Sequence, residues 1–194
     1  PAAFIAGVLT HDPGMYPKRL MVDEARRMGL PLGPLDINSS DRDYRVEDIE
    51  GSPGIRIALS AVSGASEGEL ATIAAGQPYL DLADFYRRSG ASVATIETLI
   101  LTGAFDRVHT DIDINHRDLL LHLADLHKTS APALSGAQMS LGLAPPLLRS
   151  SGLPAMSSEE KMSNELSRLG MDLSAHLLSP YAEFLNAIGA TRSC

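Results

Sequence analysis

Ser63-Gly64-Ala65-Ser66 recurs letter for letter as Ser89-Gly90-Ala91-Ser92, 26 positions later, inside a stretch covering residues 55–106. The neighbours recur with it. Leu70 and Ile73 follow the first copy where Ile96 and Leu99 follow the second, and Leu59 precedes the first where Phe85 precedes the second. A repeat of this kind constrains the architecture before any single residue is weighed. The unit reads as a helix, a tight turn containing Gly, and a second helix. Gly reaches positive φ at little steric cost and so ends the first helix. The Ser two positions on offers its hydroxyl to an unpaired backbone N–H and starts the second. Two such units with their apolar faces together leave both turns on one side.

This is the pattern of a tandem helix-hairpin-helix element. Its hairpin amides and the positive ends of its second helices face outward, where an anion can sit. One per repeat, they would each hold a phosphate, one on each strand of a duplex. The candidate DNA-binding residues are therefore Ser63, Gly64, Ala65, Ser66, Ser89, Gly90, Ala91 and Ser92, with Arg87 and Arg88 as flanking cations. The residues alone leave a second reading open, in which both copies are plain corners in a chain rich in Ala, Gly and Ser.

The chain has 194 residues, 44% hydrophobic and 21% charged, the balance of a soluble globular protein. No apolar run is long enough for a membrane span and no signal-peptide pattern occurs, so no membrane association is expected. A single Cys194 excludes a disulfide framework and a cysteine metal cluster, which points to the reducing cytoplasm. The net charge of −8 argues against wrapping nucleic acid by bulk electrostatics, so any DNA contact is expected to be local. The chain opens on Pro1 inside what reads as a helix, and a fragment is expected.

In order along the chain, residues 2–9 read as a short apolar helix. Pro17 suits the first position of the next, with Leu20, Met21, Ala25 and Met28 as its buried stripe and Gly29 as its stop. Pro31 and Pro34 hold the following stretch extended, and Asp36, Asn38 and Ser39 suit an Asx turn. Asp41, Asp43, Glu47, Asp48 and Glu50 lack the spacing and central Gly of a calcium loop and read as a solvated loop or sheet edge. Tyr44 and Val46 are expected to pair with Ile55-Arg56-Ile57-Ala58-Leu59 as short strands. Phe105 is the expected packing anchor behind the repeat. Residues 112–128 read as a helix with Leu119, Leu120, Leu123 and Leu126 inward. On it, Asp118 and His122 are read as an exposed capping pair, because no third ligand at convincing spacing supports zinc. Residues 129–157, mostly Ala, Ser, Gly, Pro and Leu, read as a linker. Ser157, Ser158, Glu159 and Glu160 open a further helix, with Leu166 and Leu169 inward and Gly170 at its end. A last helix covers residues 181–188.

Several segments, in this order, resemble bacterial C-family DNA polymerases of the DNA polymerase III α-subunit type. Pro1-Ala2-Ala3-Phe4 resembles the helix-start motif near the end of the fingers, and Pro34-Leu35-Asp36-Ile37-Asn38 resembles that family's Pro-Pro-Asp-Val-Asn. Leu59-Ser60-Ala61-Val62-Ser63-Gly64 resembles the start of its helix-hairpin-helix domain, and Leu101-Thr102-Gly103-Ala104-Phe105-Asp106 its closing phrase. Glu165-Leu166-Ser167-Arg168-Leu169-Gly170, with His176 after it, is similar to the helix before the OB-fold. That wording and the Ala- and Pro-rich linker look most like the error-prone, damage-induced branch.

The resemblance implies a mainly α fold with a small β region. Residues 1–54 would be the C-terminal part of the fingers and 55–128 the tandem helix-hairpin-helix domain with its following helix. Residues 129–157 would be a flexible linker, and 158–194 a helical segment leading to the OB-fold. It implies a parent that performs template-directed DNA synthesis in damage tolerance, translesion synthesis and DNA repair, with Mg²⁺ held by palm carboxylates. Those carboxylates fall outside this sequence in the family. No catalytic residue, metal ligand or cofactor is therefore assigned here, and the chain alone is expected to be inactive. The implied partner is duplex or primer–template DNA. Gln138-Met139-Ser140-Leu141-Gly142-Leu143 stands where replicative relatives carry a sliding-clamp peptide. With Gln138, Leu141 and Leu143 but no final aromatic, it reads as a degenerate clamp motif, with accessory translesion proteins as further candidates. Two features depart from the family. Gly64-Ala65-Ser66 replaces the usual Gly-Val-Gly, and residues 55–107 hold four arginines and no lysine against six acids. Two other functions stay open: a stand-alone, non-enzymatic helix-hairpin-helix module, and a helical protein-interaction domain. Residues 1–40 discriminate, because a lone hairpin module has no use for them.

Overall fold

Ala2, Ile5, Ala6 and Leu9 recur at helical spacing and become the buried face of α1 (Ala2–His11). The computed structural model describes residues 1–12, 14–110, 113–130 and 146–191. Its chain is mainly α with a small β region, as the sequence implies. Helix α2 (Lys18–Arg27) buries Val22 and, of the expected stripe, Ala25, with Met21 half-buried against the core, while Leu20 and Met28 are exposed. On the same helix Arg26 bonds Asp23 at 3.0 Å and donates to the Leu173 carbonyl at 3.3 Å, tying α2 to the chain after α7.

After α2 the chain runs extended through β1 (Leu32–Gly33) and returns as a hairpin of β2 (Arg45–Ile49) and β3 (Ser52–Arg56). The strand order is β1-β3-β2, with β1 parallel to β3 (Leu32↔Ile55) and β2 antiparallel to it (Val46↔Ile55). The two-residue loop Glu50, Gly51 has both φ values positive, 54° and 83°, the twist a tight hairpin needs. The acidic stretch is thus a sheet edge. Glu47 crosses it to hold the buried guanidinium of Arg56, which also donates to the Pro34 carbonyl at 2.8 Å. Gly33 makes room for that guanidinium: a Cβ there would meet its central carbon at 2.7 Å.

Residues 36–40 form the expected Asx turn, and more. The Asp36 carboxylate accepts the amides of Asn38 and Ser39 at 2.7 and 2.8 Å. The Asn38 side chain acts as a peptide bond, accepting from the Tyr79 amide at 2.7 Å and donating to its carbonyl at 2.8 Å. Ser40 donates to the Ile57 carbonyl, Gln77 donates to the carbonyls of Ile37 and Ser40, and the Ile37 amide bonds the Ala104 carbonyl at 3.0 Å. One turn thereby fastens β3, the loop before the second repeat, and the end of that repeat.

The repeat itself is α3 (Glu67–Ala75), α4 (Leu82–Arg88) and α5 (Val93–Leu101). The helix expected before the first hairpin is only a 3₁₀ turn, Leu59–Ala61. The amides of Leu59 and Ser60 are held by the carbonyls of Asp41 and Arg42, so the chain leaves the sheet with no room for a full helix. Phe105 is fully buried, edge-on to Phe85 at 5.2 Å, and Phe85 is edge-on to Tyr79 at 4.7 Å.

Helix α6 (His116–Ser130) buries Leu119, Leu123 and Leu126. Asp118 and His122, expected on its exposed face, are both buried. Asp118 accepts the Asn115 amide at 2.9 Å and the Ser151 amide at 2.7 Å. The stretch read as a linker divides at this point. Residues 131–145 lie outside the described residues, while 146–157 run along α6, with Asn115 and Arg117 donating to the carbonyls of Leu153 and Pro154. Helix α7 (Ser158–Leu169) starts at a capping box of Ser157 and Glu160 and ends at Gly170, φ 70°. It buries Met162, Glu165 and Leu169, with Leu166 half-buried. Helix α8 (Ala182–Ala187) keeps Phe184 exposed, with Tyr181 and Ile188 exposed beside it. Among the described residues no helix is long and apolar enough to cross a membrane.

Because Asn38 makes both bonds of a part-buried peptide pairing, Asn38→Ala should cost about 1–3 kcal/mol of stability in urea unfolding. A change under about 0.5 kcal/mol, the range of an ordinary surface substitution, would contradict this role for the turn.

Candidate nucleic-acid interface

Each hairpin of the repeat is built by the same two devices. Gly64 and Gly90 take φ of 84° and 66°, a conformation that a side chain with a Cβ resists. Two residues later Ser66 and Ser92 cap α3 and α5, their hydroxyls accepting the amides of Glu69 and Thr95 at 3.3 and 3.2 Å. The expected sequence of Gly break and Ser cap is present in both copies.

The two hairpins lie side by side, close enough for one side chain to touch both. Glu69 in the first turn of α3 accepts the Ser66 amide at 2.8 Å and the Ser66 hydroxyl at 2.9 Å through Oε2. Through Oε1 it accepts the Ser92 amide at 2.8 Å and the Thr95 hydroxyl at 3.1 Å. The Ser66 amide, followed by that of Ser92, holds this carboxyl down at about 2. Sequence reasoning missed Glu69. Half its role is legible as the capping box Ser66-x-x-Glu69, but its reach to the second hairpin is a tertiary contact.

Among the described residues the amides of Gly64, Ala65 and Gly90 bond no acceptor, whereas that of Ala91 bonds the Ser89 hydroxyl at 3.2 Å. Ser63 has its amide on the carbonyl of Arg168 at 2.9 Å, so α7 braces the first hairpin from behind. The Arg168 guanidinium donates to the Thr98 hydroxyl at 3.1 Å.

The two candidate cations differ. Arg87 is exposed, with a loose ion pair to Asp84 at 3.6 Å. Arg88 is also exposed, but its guanidinium is held by its neighbours. It bonds Asp84 at 2.7 Å, the Pro78 carbonyl at 3.1 Å and the Gly76 carbonyl, and lies over the Tyr79 ring at 5.0 Å. Arg88 therefore ties α4 to the loop before it. Gln138, Leu141 and Leu143 lie outside the described residues. Among the described residues no group of three or more His, Cys, Asp or Glu is arranged to hold a metal ion.

Comparison with known proteins bears on the same stretch. The family model for a helix-hairpin-helix motif matches residues 29–116. The error-prone DNA polymerase of Symbiobacterium thermophilum is 35% identical over 151 residues, 65% of this chain and 14% of that protein. The error-prone DNA polymerase of Bdellovibrio bacteriovorus is 28% identical over 195 residues, 96% of this chain and 18% of that protein. The DNA polymerase III subunit alpha of Neisseria meningitidis serogroup B is 29% identical over 203 residues, 99% of this chain and 17% of that protein. The chain thus spans less than a fifth of the length of the curated relatives it matches.

A carboxyl depressed by native hydrogen bonds stabilises the fold above its ordinary value and loses that contribution as pH falls toward its folded value. For Glu69 the window runs from about 4.5 down to about 2. A carbon-detected NMR titration should place the Glu69 midpoint near the lower limit. A midpoint at the ordinary glutamate value would contradict the bridge between hairpins.

Proposed function

The chain belongs to the family of bacterial error-prone DNA polymerases and DNA polymerase III alpha subunits, and from that membership we propose that it is the duplex-gripping part of an error-prone polymerase. The observation that carries this reading is the pair of Gly-pivoted, Ser-capped hairpins set side by side within residues 29–116. Backbone amides and helix N-termini grip phosphate oxygens without reading base edges, so the grip is independent of sequence. Template-directed synthesis past damaged bases requires that, since the protein must hold any duplex it has just made.

The contact set follows from the geometry. Gly64, Ala65 and Gly90 offer amides, Ser63, Ser66, Ser89, Ala91 and Ser92 shape the hairpins, and Arg87 supplies an exposed cation. Arg88, also exposed, ties α4 to the loop before it. Four arginines against six acids over residues 55–107 make the grip weak by itself, so the duplex is held jointly with other parts of a longer polymerase. Nucleotide transfer with Mg²⁺ is assigned to carboxylates of that longer protein, and no chemical step is derived through the residues described here. The stretch containing Gln138, Leu141 and Leu143 is retained as a degenerate sliding-clamp contact, with accessory translesion proteins as alternative partners. The setting is the cytoplasm, where bacterial DNA is copied.

A stand-alone hairpin module is disfavoured by the way residues 36–40 tie the end of the sheet to the repeat. Those residues have a structural purpose only if the hairpins must keep a set position relative to what precedes them.

Gly64→Val and Gly90→Val each force a β-branched side chain into positive φ, and each should weaken duplex binding by about 1–3 kcal/mol through strain and lost phosphate bonds. Fluorescence anisotropy on primer–template DNA across a salt series reads this, with circular dichroism confirming folding. A folded double variant that binds as tightly as the parent would make the hairpins structural corners.

A further inference from the structure

Four donors converge where the two hairpins meet, the amides of Ser66 and Ser92 and the hydroxyls of Ser66 and Thr95, and all four are taken by the Glu69 carboxylate. A carboxylate oxygen and a phosphodiester oxygen are interchangeable partners for such donors, both anionic acceptors at similar distances. We propose that Glu69 is a tethered competitor of the DNA backbone: its carboxylate occupies the junction between the hairpins and thereby sets the duplex affinity of this face. The inference rests on the reading of the hairpins as a duplex grip, and it names the residue that tunes that grip.

The competition favours the tether. Glu69 sits on the first turn of α3 and loses little freedom on binding, whereas a phosphate must be brought in from outside. Its charge also offsets the positive end of α3, which would otherwise attract the backbone. It stays ionised in neutral solution, its carboxyl held down at about 2 by the amides it occupies. The donors lie on two hairpins 26 positions apart, so Glu69 does more than cap its own helix. What it leaves to an incoming strand are the amides of Gly64, Ala65 and Gly90.

Glu67 provides the matched control. It lies in the same first turn and is exposed, and its carboxylate faces Arg42 at 3.5 Å rather than a hairpin amide. Glu69→Gln and Glu67→Gln each remove one negative charge, and a Gln at residue 69 still suits the capping box. Duplex affinity by fluorescence anisotropy should rise about fivefold or more in Glu69→Gln, and less than about twofold in Glu67→Gln. Inorganic phosphate should move the Ser66 and Ser92 amide resonances in Glu69→Gln and leave them unmoved in the parent. Equal gains in the two variants would reduce the effect to bulk charge and overturn the role of Glu69. Weaker binding by folded Glu69→Gln would make Glu69 a structural tie and overturn it as well. Both outcomes keep the sensitivity to Gly64→Val and Gly90→Val, whose loss would instead overturn the hairpin reading itself. Absence of duplex binding in every variant, with phosphate-silent amides in Glu69→Gln, would overturn both.

Discussion

The hydrogen bonds radiating from residues 36–40 hold the rest of the structure in register. Asp36 folds the turn on itself, Ser40 ties it to β3, Asn38 and Gln77 tie it to the loop before α4, and Ile37 ties it to Ala104 behind α5. The Ser40 bond to the Ile57 carbonyl is buried and the other side-chain bonds are part-buried, so losing one partner leaves the other poorly solvated and unpaired. Packing alone would let the repeat slide against the sheet, because apolar contacts are not directional. The turn removes that freedom.

That constraint gives the hairpins their use. A phosphate grip built from amides has no long side chain to adjust its reach, so the donors must be placed by the fold itself. The sheet and the turn place the first hairpin, α7 braces it through Ser63 and Arg168, and Glu69 sets its distance from the second. The same bond that aligns the hairpins occupies part of their donor surface. Alignment and affinity are therefore coupled through one carboxylate, and a stiff but weak grip is what the geometry favours. A polymerase must release and advance after each addition, which suits a hold of that kind.

What could be read from the sequence was local. Gly64 and Gly90 announce positive φ, Ser66 and Ser92 announce caps, and Asp36-Ile37-Asn38-Ser39 announces an Asx turn, each from the residue and its immediate neighbours. The strand pairing and the burial of Phe105 follow from apolar patterning in the same way. What escaped was long-range. Asn38 meets Tyr79 and Glu69 meets Ser92 across loops whose closure no local pattern encodes. Arg88, read as a flanking cation, does lie at the surface, but its hold on the carbonyls of the preceding loop and on the Tyr79 ring is tertiary and was not legible. The α2 stripe was read partly right: Ala25 is buried and Met21 half-buried as expected, but Val22 adjoins them while Leu20 and Met28 at the helix ends are left exposed. Asp118 was placed outside for want of its partner Ser151, 33 positions away.

The central claim is that duplex DNA lies on the hairpin face. Amide-resolved NMR of the whole chain, titrated with a short duplex, tests it most directly. The account predicts that the largest shifts fall on Gly64, Ala65, Gly90 and Ala91 and on neighbouring Arg87, for any duplex sequence, and that added salt abolishes them. Shifts centred instead on the exposed Tyr181, Phe184 and Ile188, with the hairpin amides silent, would contradict it and put the duplex on the α8 face.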